Sequence, residues 1–154
     1  MPSGFYLEFL VDNRARFQML QTVFYELQKA KQTDSIDYAN EARWLKFFDK
    51  KALEHFWWPT EEQLKKLKNA EKSKMSGREL SGLTRQMGGD KWTFGSMLMM
   101  IESSEYNLLS CELLSYGRTA RLEFDPLAHP YGGQGPLSCL IESFGFKVTK
   151  HSEI

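Results

Sequence analysis

The residues best suited to chemistry lie together in a loop that runs from Asp125 to Pro136. This loop holds three of the five prolines and three of the eleven glycines of the chain. Glycines let a backbone approach a ligand closely, and amides at the start of a helix attract anions through their partial positive charge. The loop is therefore a candidate site for a small ligand or anion, with contacts from Asp125, His129, Tyr131, Gly132, Gly133 and Gly135.

The same loop has a plainer interpretation, as the connection between a strand and a helix. Its Gly132-Gly133-x-Gly135 pattern matches neither the dinucleotide fingerprint nor the P-loop. Pro136 suits the first position of a helix, where a missing N–H costs no hydrogen bond. Asp125 suits a turn before proline, and it could orient His129 only if the loop folds back. We favour the connection and keep ligand binding as the alternative.

The remaining nucleophiles and metal ligands form no recognisable catalytic pattern. The three histidines, at 55, 129 and 151, show no four-residue helical spacing and none joins a cysteine pair. Cys111 and Cys139 fall in leucine-rich segments, which predicts buried and unreactive thiols in a reducing cytosol. We therefore expect no catalytic residue, no metal and no cofactor.

A second candidate surface is aromatic, and it lies in the segment Phe47–Trp58. Tryptophan is enriched where proteins bind each other because it buries a large area. The adjacent Trp57 and Trp58 cannot easily both enter one core if the backbone is extended, so one of them is a candidate for the surface. Phe47, Trp57 and Trp58 are the candidate partner-binding residues, but we favour the alternative that both tryptophans pack beneath the helical insertion.

Charge and hydropathy exclude several classes of partner. Lysine plus arginine and aspartate plus glutamate both number 20, so no overall field favours a polyanion. The lysine-rich stretch 65–74 contains one glutamate, Glu71, and follows two others, Glu61 and Glu62. This mixture favours a solvated helix face and makes nucleic acid an unlikely ligand. No segment approaches the ~20 apolar residues of a membrane span. The start of the chain lacks the basic and apolar regions of a signal peptide, so we expect a soluble, cytoplasmic protein.

The elements that must position these residues follow from hydrophobic periodicity and turn signals. We predict strands over 5–11, 92–101, 106–114, 119–124 and 146–149, and helices over 14–31, from Thr60, from Ser76 to Gly88-Gly89, and over 137–144. Residues 41–56 fit a helix or a short strand, and we favour the helix. The run 106–114 is apolar on both faces, which predicts a central strand.

These elements predict an α+β fold. The sheet is mostly antiparallel, built from the N-terminal strand and a C-terminal three-stranded meander, with helices packed on one face. Residues 1–154 are expected to form a single domain, with 41–90 as a helical insertion. With no catalytic pattern, we expect a non-enzymatic module that binds another protein, such as an immunity or antidote protein, an adaptor or an accessory subunit. The alternative is a small-ligand or anion-binding protein, or a small enzyme, that uses the Asp125–Pro136 loop.

Overall fold

A computed structural model describes residues 5–73, 76–86, 91–115, 117–127 and 133–152. Strands and helices follow one another along these ranges with the strands gathered at the two ends of the chain. The elements are β1 (Phe5–Leu10), α1 (Arg14–Gln32), α2 (Glu41–Leu45), α3 (Lys50–Leu53), α4 (Glu61–Lys72), α5 (Gly77–Gln86), α6 (Phe94–Ser103), β2 (Tyr106–Leu113), β3 (Thr119–Pro126), α7 (Gly135–Ser143) and β4 (Val148–His151). No helix among the described residues is both long and apolar enough to cross a bilayer.

The four strands form one sheet in the order β2-β3-β1-β4, and every neighbouring pair is antiparallel. This confirms the predicted α+β class with a mostly antiparallel sheet. With α1 and α7 as its connecting helices, the sheet has the β-α-β-β-α-β pattern known as the split β-α-β arrangement. Helices α2 to α6 are all inserted between α1 and β2.

One face of the sheet forms the core because apolar residues alternate along its two central strands. Leu7 and Phe9 on β1 lie beside Leu122 and Ala120 on β3, and all four are buried. Helices α1, α6 and α7 supply further side chains to the same hydrophobic cluster. Fully burying a leucine or phenylalanine contributes roughly 1.5–3 kcal/mol, so this face dominates the stability of the fold.

Helix α1 forms as predicted. The side chain of Asn13 accepts a hydrogen bond from the Arg16 backbone N–H and so caps the helix start. The buried residues recur at intervals of three and four, which gives the helix one apolar stripe. They are Phe17, Leu20, Val23, Phe24, Leu27 and Ala30.

Half-buried side chains beside the apolar stripe of α1 cover the outer edge of β2. Gln28 Nε2 donates to the carbonyl oxygens of Leu108 (2.8 Å) and Leu109 (2.9 Å). Gln21 Nε2 donates to the Cys111 carbonyl at 2.9 Å, and the Cys111 N–H donates to the Tyr25 hydroxyl at 3.1 Å. These side chains take the place of a further strand. The expectation that β2 would be a central strand is therefore wrong. β2 is an edge strand whose outer edge is covered by helix α1, and β3 and β1 are the central strands.

The predicted strand over 92–101 is also wrong, because the structure has helix α6 there. Thr93 caps this helix by accepting the Ser96 N–H at 3.1 Å. The buried residues Phe94, Met97, Leu98 and Ile101 follow the helical spacing of three and four. A short apolar run is compatible with either element, and the cap together with this spacing decides for the helix.

Residues 41–56 are helical, as favoured, but in two short pieces rather than one. Helix α2 ends at Leu45 and α3 begins at Lys50. Asp49 makes the break, because its carboxylate accepts the Ala52 N–H at 2.8 Å and so starts a new helix.

Helices α4 and α5 form a hairpin that stands apart from the core. The predicted capping box is present at Thr60, whose hydroxyl accepts the Gln63 N–H while Gln63 Oε1 accepts the Thr60 N–H. Ser76 caps α5 by accepting the Glu79 N–H. The two helices pack chiefly on each other, and no described residue from Pro59 to Gln86 belongs to the core cluster. The predicted stop at Gly88-Gly89 lies outside the described residues.

Candidate functional site

Trp58 is the more exposed of the two adjacent tryptophans. Its side chain is 46% exposed, whereas Trp57 is half-buried. The indole stacks on Phe94 with ring centroids 5.9 Å apart and an interplanar angle of 21°, and it meets the Phe56 ring edge-on at 6.5 Å. Its Nε1 donates to the Leu53 carbonyl at 2.8 Å. The favoured expectation that both tryptophans pack is therefore wrong for Trp58, whose ring is exposed and held in one orientation by these contacts.

The other two aromatic candidates serve mainly in packing. Phe47 is half-buried against Trp44, with ring centroids 5.9 Å apart, and the Lys46 ammonium lies 5.3 Å from its ring. The Trp57 backbone N–H donates to the Trp92 carbonyl at 2.9 Å. This bond ties the segment before α4 to the segment before α6. The arrangement leaves Trp58 as the residue of the three that offers most surface to a partner.

The surface that follows Trp58 belongs to α4. Leu64 is 44% exposed on this helix. The helix also carries four exposed lysines, none of which lies within 4.0 Å of a carboxylate of the described residues. They are Lys65, Lys66, Lys68 and Lys72. The glutamates of the first turn, Glu61 and Glu62, complement the positive end of the helix dipole. Two exposed apolar side chains, Trp58 and Leu64, thus lie close along the chain to four exposed lysines.

The ends of the Asp125–Pro136 loop are described, and they fit a strand-to-helix connection. Asp125 is half-buried in β3 and pairs in register with Asn107. Gly133 has φ +82°, a conformation that favours glycine, and a Cβ at Gly135 would come 3.3 Å from Trp92. Helix α7 follows with Pro136 in its first turn. The candidates His129, Tyr131 and Gly132 lie outside the described residues, so their role stays a prediction.

A cavity of about 300 Å³ opens where β3 leaves the sheet for this loop. Leu127 lines it together with Tyr106 and Asn107 at the start of β2. The charged lining residues are Lys31, Asp34, Glu102 and Glu105. Lys31 Nζ donates to the carbonyls of Ile101 (2.9 Å) and Ser104 (2.7 Å) at the end of α6. With one ammonium against three carboxylates, the cavity is better suited to a cation than to an anion.

The titratable groups in the described regions give no activated nucleophile. Burial raises the pKa of Cys139 to about 12 and also raises the pKa of Cys111. Burial lowers the pKa of His55, whose ring meets Phe56 edge-on at 5.6 Å. Both thiols are therefore protonated near neutral pH, and His55 is neutral and packed. No group of three or more histidine, cysteine or carboxylate side chains that could hold a metal occurs among the described residues.

One cluster, on the sheet face that lies opposite the core, was not predicted from the sequence. The Arg121 guanidinium lies 4.1 Å from the Tyr6 ring centroid, and its Nη2 is 3.3 Å from Glu8 Oε2. The alternation of β1 and β3 placed each residue on this face, but only the pairing of the two strands brings them together. Since Glu8 is buried and Arg121 is largely covered, this cluster pairs charges within the sheet.

Comparisons with known proteins add no relative on which to base a function. No protein-family model, no curated protein and no solved structure matches this chain.

Proposed function

We propose that this chain is a non-enzymatic module that binds another protein, with Trp58 as the anchor of the contact. An immunity or antidote protein, an adaptor or an accessory subunit would each use such a surface. The observation that carries the proposal is the fixed, half-exposed indole of Trp58, stacked on Phe94 and bonded to the Leu53 carbonyl.

The physical argument concerns the entropy lost on binding. A side chain that is free in solution loses rotamer entropy when a partner immobilises it, at roughly 0.5–1.5 kcal/mol each. Trp58 already has its orientation in the free protein, so its apolar area is available to a partner at low cost. Rigid aromatic anchors of this kind dominate the energy of many interfaces.

The chemistry of the described residues also supports a binding role over catalysis. Both cysteines are buried, and the carboxylates of Asp49 and Glu8 are paired with Arg16 and Arg121. Two buried free thiols suit a reducing compartment, so we place this function in the cytoplasm.

The test compares Trp58→Ala with Tyr38→Ala, which removes another exposed aromatic ring of similar exposure, 42%. Tagged wild-type and variant proteins are used to capture partners, which are quantified by mass spectrometry. We expect Trp58→Ala to weaken a specific partner by about 30-fold in Kd, the effect of a 2 kcal/mol hot spot. Tyr38→Ala should retain that partner. Equal capture by all three proteins, or turnover of a small molecule without any partner, would refute the proposal.

A second candidate function is supported by the cavity at the start of the glycine-rich loop. Its volume of about 300 Å³ lies at the lower limit of small-molecule sites. Thermal-shift measurements with cationic and anionic metabolites test whether the protein binds a small ligand. His129→Ala and Gly133→Val alter the loop, and Glu105→Gln alters the cavity. A shift by a cation that is lost in Glu105→Gln locates a ligand in the cavity. A shift by an anion that is lost in both loop variants locates it in the loop.

A further inference from the structure

We infer that the partner surface bound beside Trp58 is acidic, and that the lysines of α4 face it. This inference rests on the proposed function and adds the chemistry of the partner. It concerns the surface formed by Trp58, Leu64, Lys65, Lys68 and Lys72, called here the Trp58–α4 surface.

Three lysines of this surface form a row along α4. Lys65, Lys68 and Lys72 are spaced by three and four residues, so they lie on the same side of the helix over roughly 10 Å. All three are exposed, and none is within 4.0 Å of a carboxylate of the described residues. Three parallel ammonium groups repel one another, and an opposing set of carboxylates would relieve that repulsion.

The rest of the chain does not cover this row. Ala70 is buried and Leu67 is half-buried on the opposite side of α4. Since Lys65, Lys68 and Lys72 are all exposed, the lysine row lies on the solvent-exposed side of α4. It is therefore accessible to another molecule along its whole length.

The row follows two exposed apolar side chains closely along the chain. Trp58 precedes the helix by three residues, and Leu64 is exposed next to Lys65 in its second turn. An apolar anchor bordered by cations matches an interface with an apolar centre and an acidic rim. Charge complementarity of this kind raises the association rate and excludes basic partners.

A protein fits this surface better than a nucleic acid does. Glu61 and Glu62 stand between Trp58 and the lysine row along the chain. A nucleic-acid strand carries a phosphate at each nucleotide, so a strand that stacked on Trp58 and followed the lysines would pass these two carboxylates. An acidic protein can place its carboxylates opposite the lysines alone.

Selection from a random peptide library on the intact protein tests the inference. We expect enriched peptides to combine aspartate or glutamate with at least one apolar residue. The affinity of the enriched peptides is then measured for the triple variant Lys65→Gln, Lys68→Gln, Lys72→Gln. We expect a loss of about tenfold, the combined effect of three exposed ion pairs.

The matched control removes three exposed lysines elsewhere, by Lys50→Gln, Lys51→Gln and Lys147→Gln. This triple has the same net charge as the first, and we expect a change of less than threefold. Equal losses in the two triples would show that only overall charge matters, which would overturn the inference. So would enrichment of peptides without acidic residues, a failure to enrich any peptide, or tighter binding to oligothymidylate or phosphatidylserine vesicles.

Trp58→Ala separates this inference from the proposed function. Peptides that depend on Trp58 but carry no acidic residues would refute the acidic partner and leave the proposed function standing. Acidic peptides that require the lysine row but bind Trp58→Ala unchanged would refute Trp58 as the anchor and keep the acidic partner.

Discussion

Arg16 contacts two elements that are distant in sequence. Its Nη1 and Nη2 lie 2.5 and 3.2 Å from the two oxygens of Asp49, and its Nε donates to the Phe144 carbonyl at 2.9 Å. The guanidinium also lies 5.8 Å from the Phe144 ring centroid. One side chain of α1 thus connects the cap of α3 with the end of α7, and such bidentate pairs are among the stronger polar contacts in proteins.

Replacing Asp49 tests this contact. Asp49→Ala removes both the partner of Arg16 and the cap of α3, so we expect a loss of about 2 kcal/mol in unfolding free energy at pH 7. The hydrogen bond from Arg16 lowers the pKa of Asp49 below its ordinary value. The stability from this carboxylate is therefore complete above an unfolded pKa of about 3.9 and is lost as the pH falls through the lower folded value.

The measurement is urea unfolding at pH 7 and again near pH 2, with the exposed Asp12→Asn as the control. The difference between wild type and Asp49→Ala should shrink at acid pH, while the control stays close to wild type at both. A difference that grows at acid pH would contradict the assignment.

At the scale of elements, the contact between α1 and β2 depends on side-chain hydrogen-bond donors of α1 that meet backbone carbonyls of β2. Gln28 presents one amide group to two carbonyl oxygens of β2. Gln28→Glu keeps the shape but replaces that donor with an acceptor, which leaves three oxygens facing one another. We expect it to cost more than Gln28→Ala, about 2–3 kcal/mol against about 1 kcal/mol.

Chemical unfolding at pH 7 distinguishes the two substitutions at this position. Gln18→Glu, on an exposed position of the same helix away from its C-terminus, is the charge-matched control and should be nearly neutral. If Gln28→Glu and Gln28→Ala were equally stable, the donor role of Gln28 would be wrong.

The capping box of α4 allows a test of how independent the α4–α5 hairpin is. Thr60→Ala removes the hydroxyl that accepts the Gln63 N–H, a change that typically costs about 1 kcal/mol. Since the hairpin lies outside the core, we expect faster hydrogen exchange in α4 with little change in the midpoint of global unfolding. Thr22→Ala, at an exposed position of α1, should leave α4 exchange unchanged. A global loss as large as the local one would show that the hairpin unfolds together with the core.

The elements also show which signals in the sequence are local. Caps and helical stripes, as in α1 and at Thr60, depend on residues a few positions apart, and they were predicted. Which strands become neighbours depends on the whole chain. The edge position of β2 and the contact between Arg121 and Tyr6 were therefore not predicted. The helix at 94–103 was missed because a short apolar run is ambiguous by pattern alone.

The candidate site also combines features that depend on the local sequence with features that depend on residues distant along the chain. The local sequence indicates that one tryptophan could be exposed, because neighbouring side chains diverge from an extended backbone, but it does not decide between exposure and packing. Its fixed orientation depends on Phe94, which is distant in sequence and was assigned to a strand. The cavity beyond the end of β3 is lined by residues of α1, α6, β2 and the segments that connect them, and no local pattern indicates it.

At the scale of the whole molecule, the two thiols report on the integrity of one shared core. Cys111 lies on β2 and Cys139 on α7, and both belong to the same buried cluster. We expect neither to react with a thiol reagent at pH 8 in the native state, because burial raises the pKa of both groups.

In increasing urea, the two thiols should become reactive in one transition that coincides with the loss of helical circular dichroism. Single variants Cys111→Ala and Cys139→Ala identify which thiol reacts. Reaction of one thiol well before the other would show that the sheet and α7 open separately.

The hydrogen bonds from α1 to β2 also set a limit on assembly. Exposed strand edges are the places where sheets of different molecules join. Here the outer edge of β2 is hydrogen-bonded by glutamine and tyrosine side chains of α1. Among the described residues, β4 is the other edge strand, and no strand pairs with its outer side. If two copies joined through β4, the combined sheet would end at both sides in a β2 edge covered by α1. Addition of further copies by strand pairing would therefore stop at the dimer and could not produce a fibre.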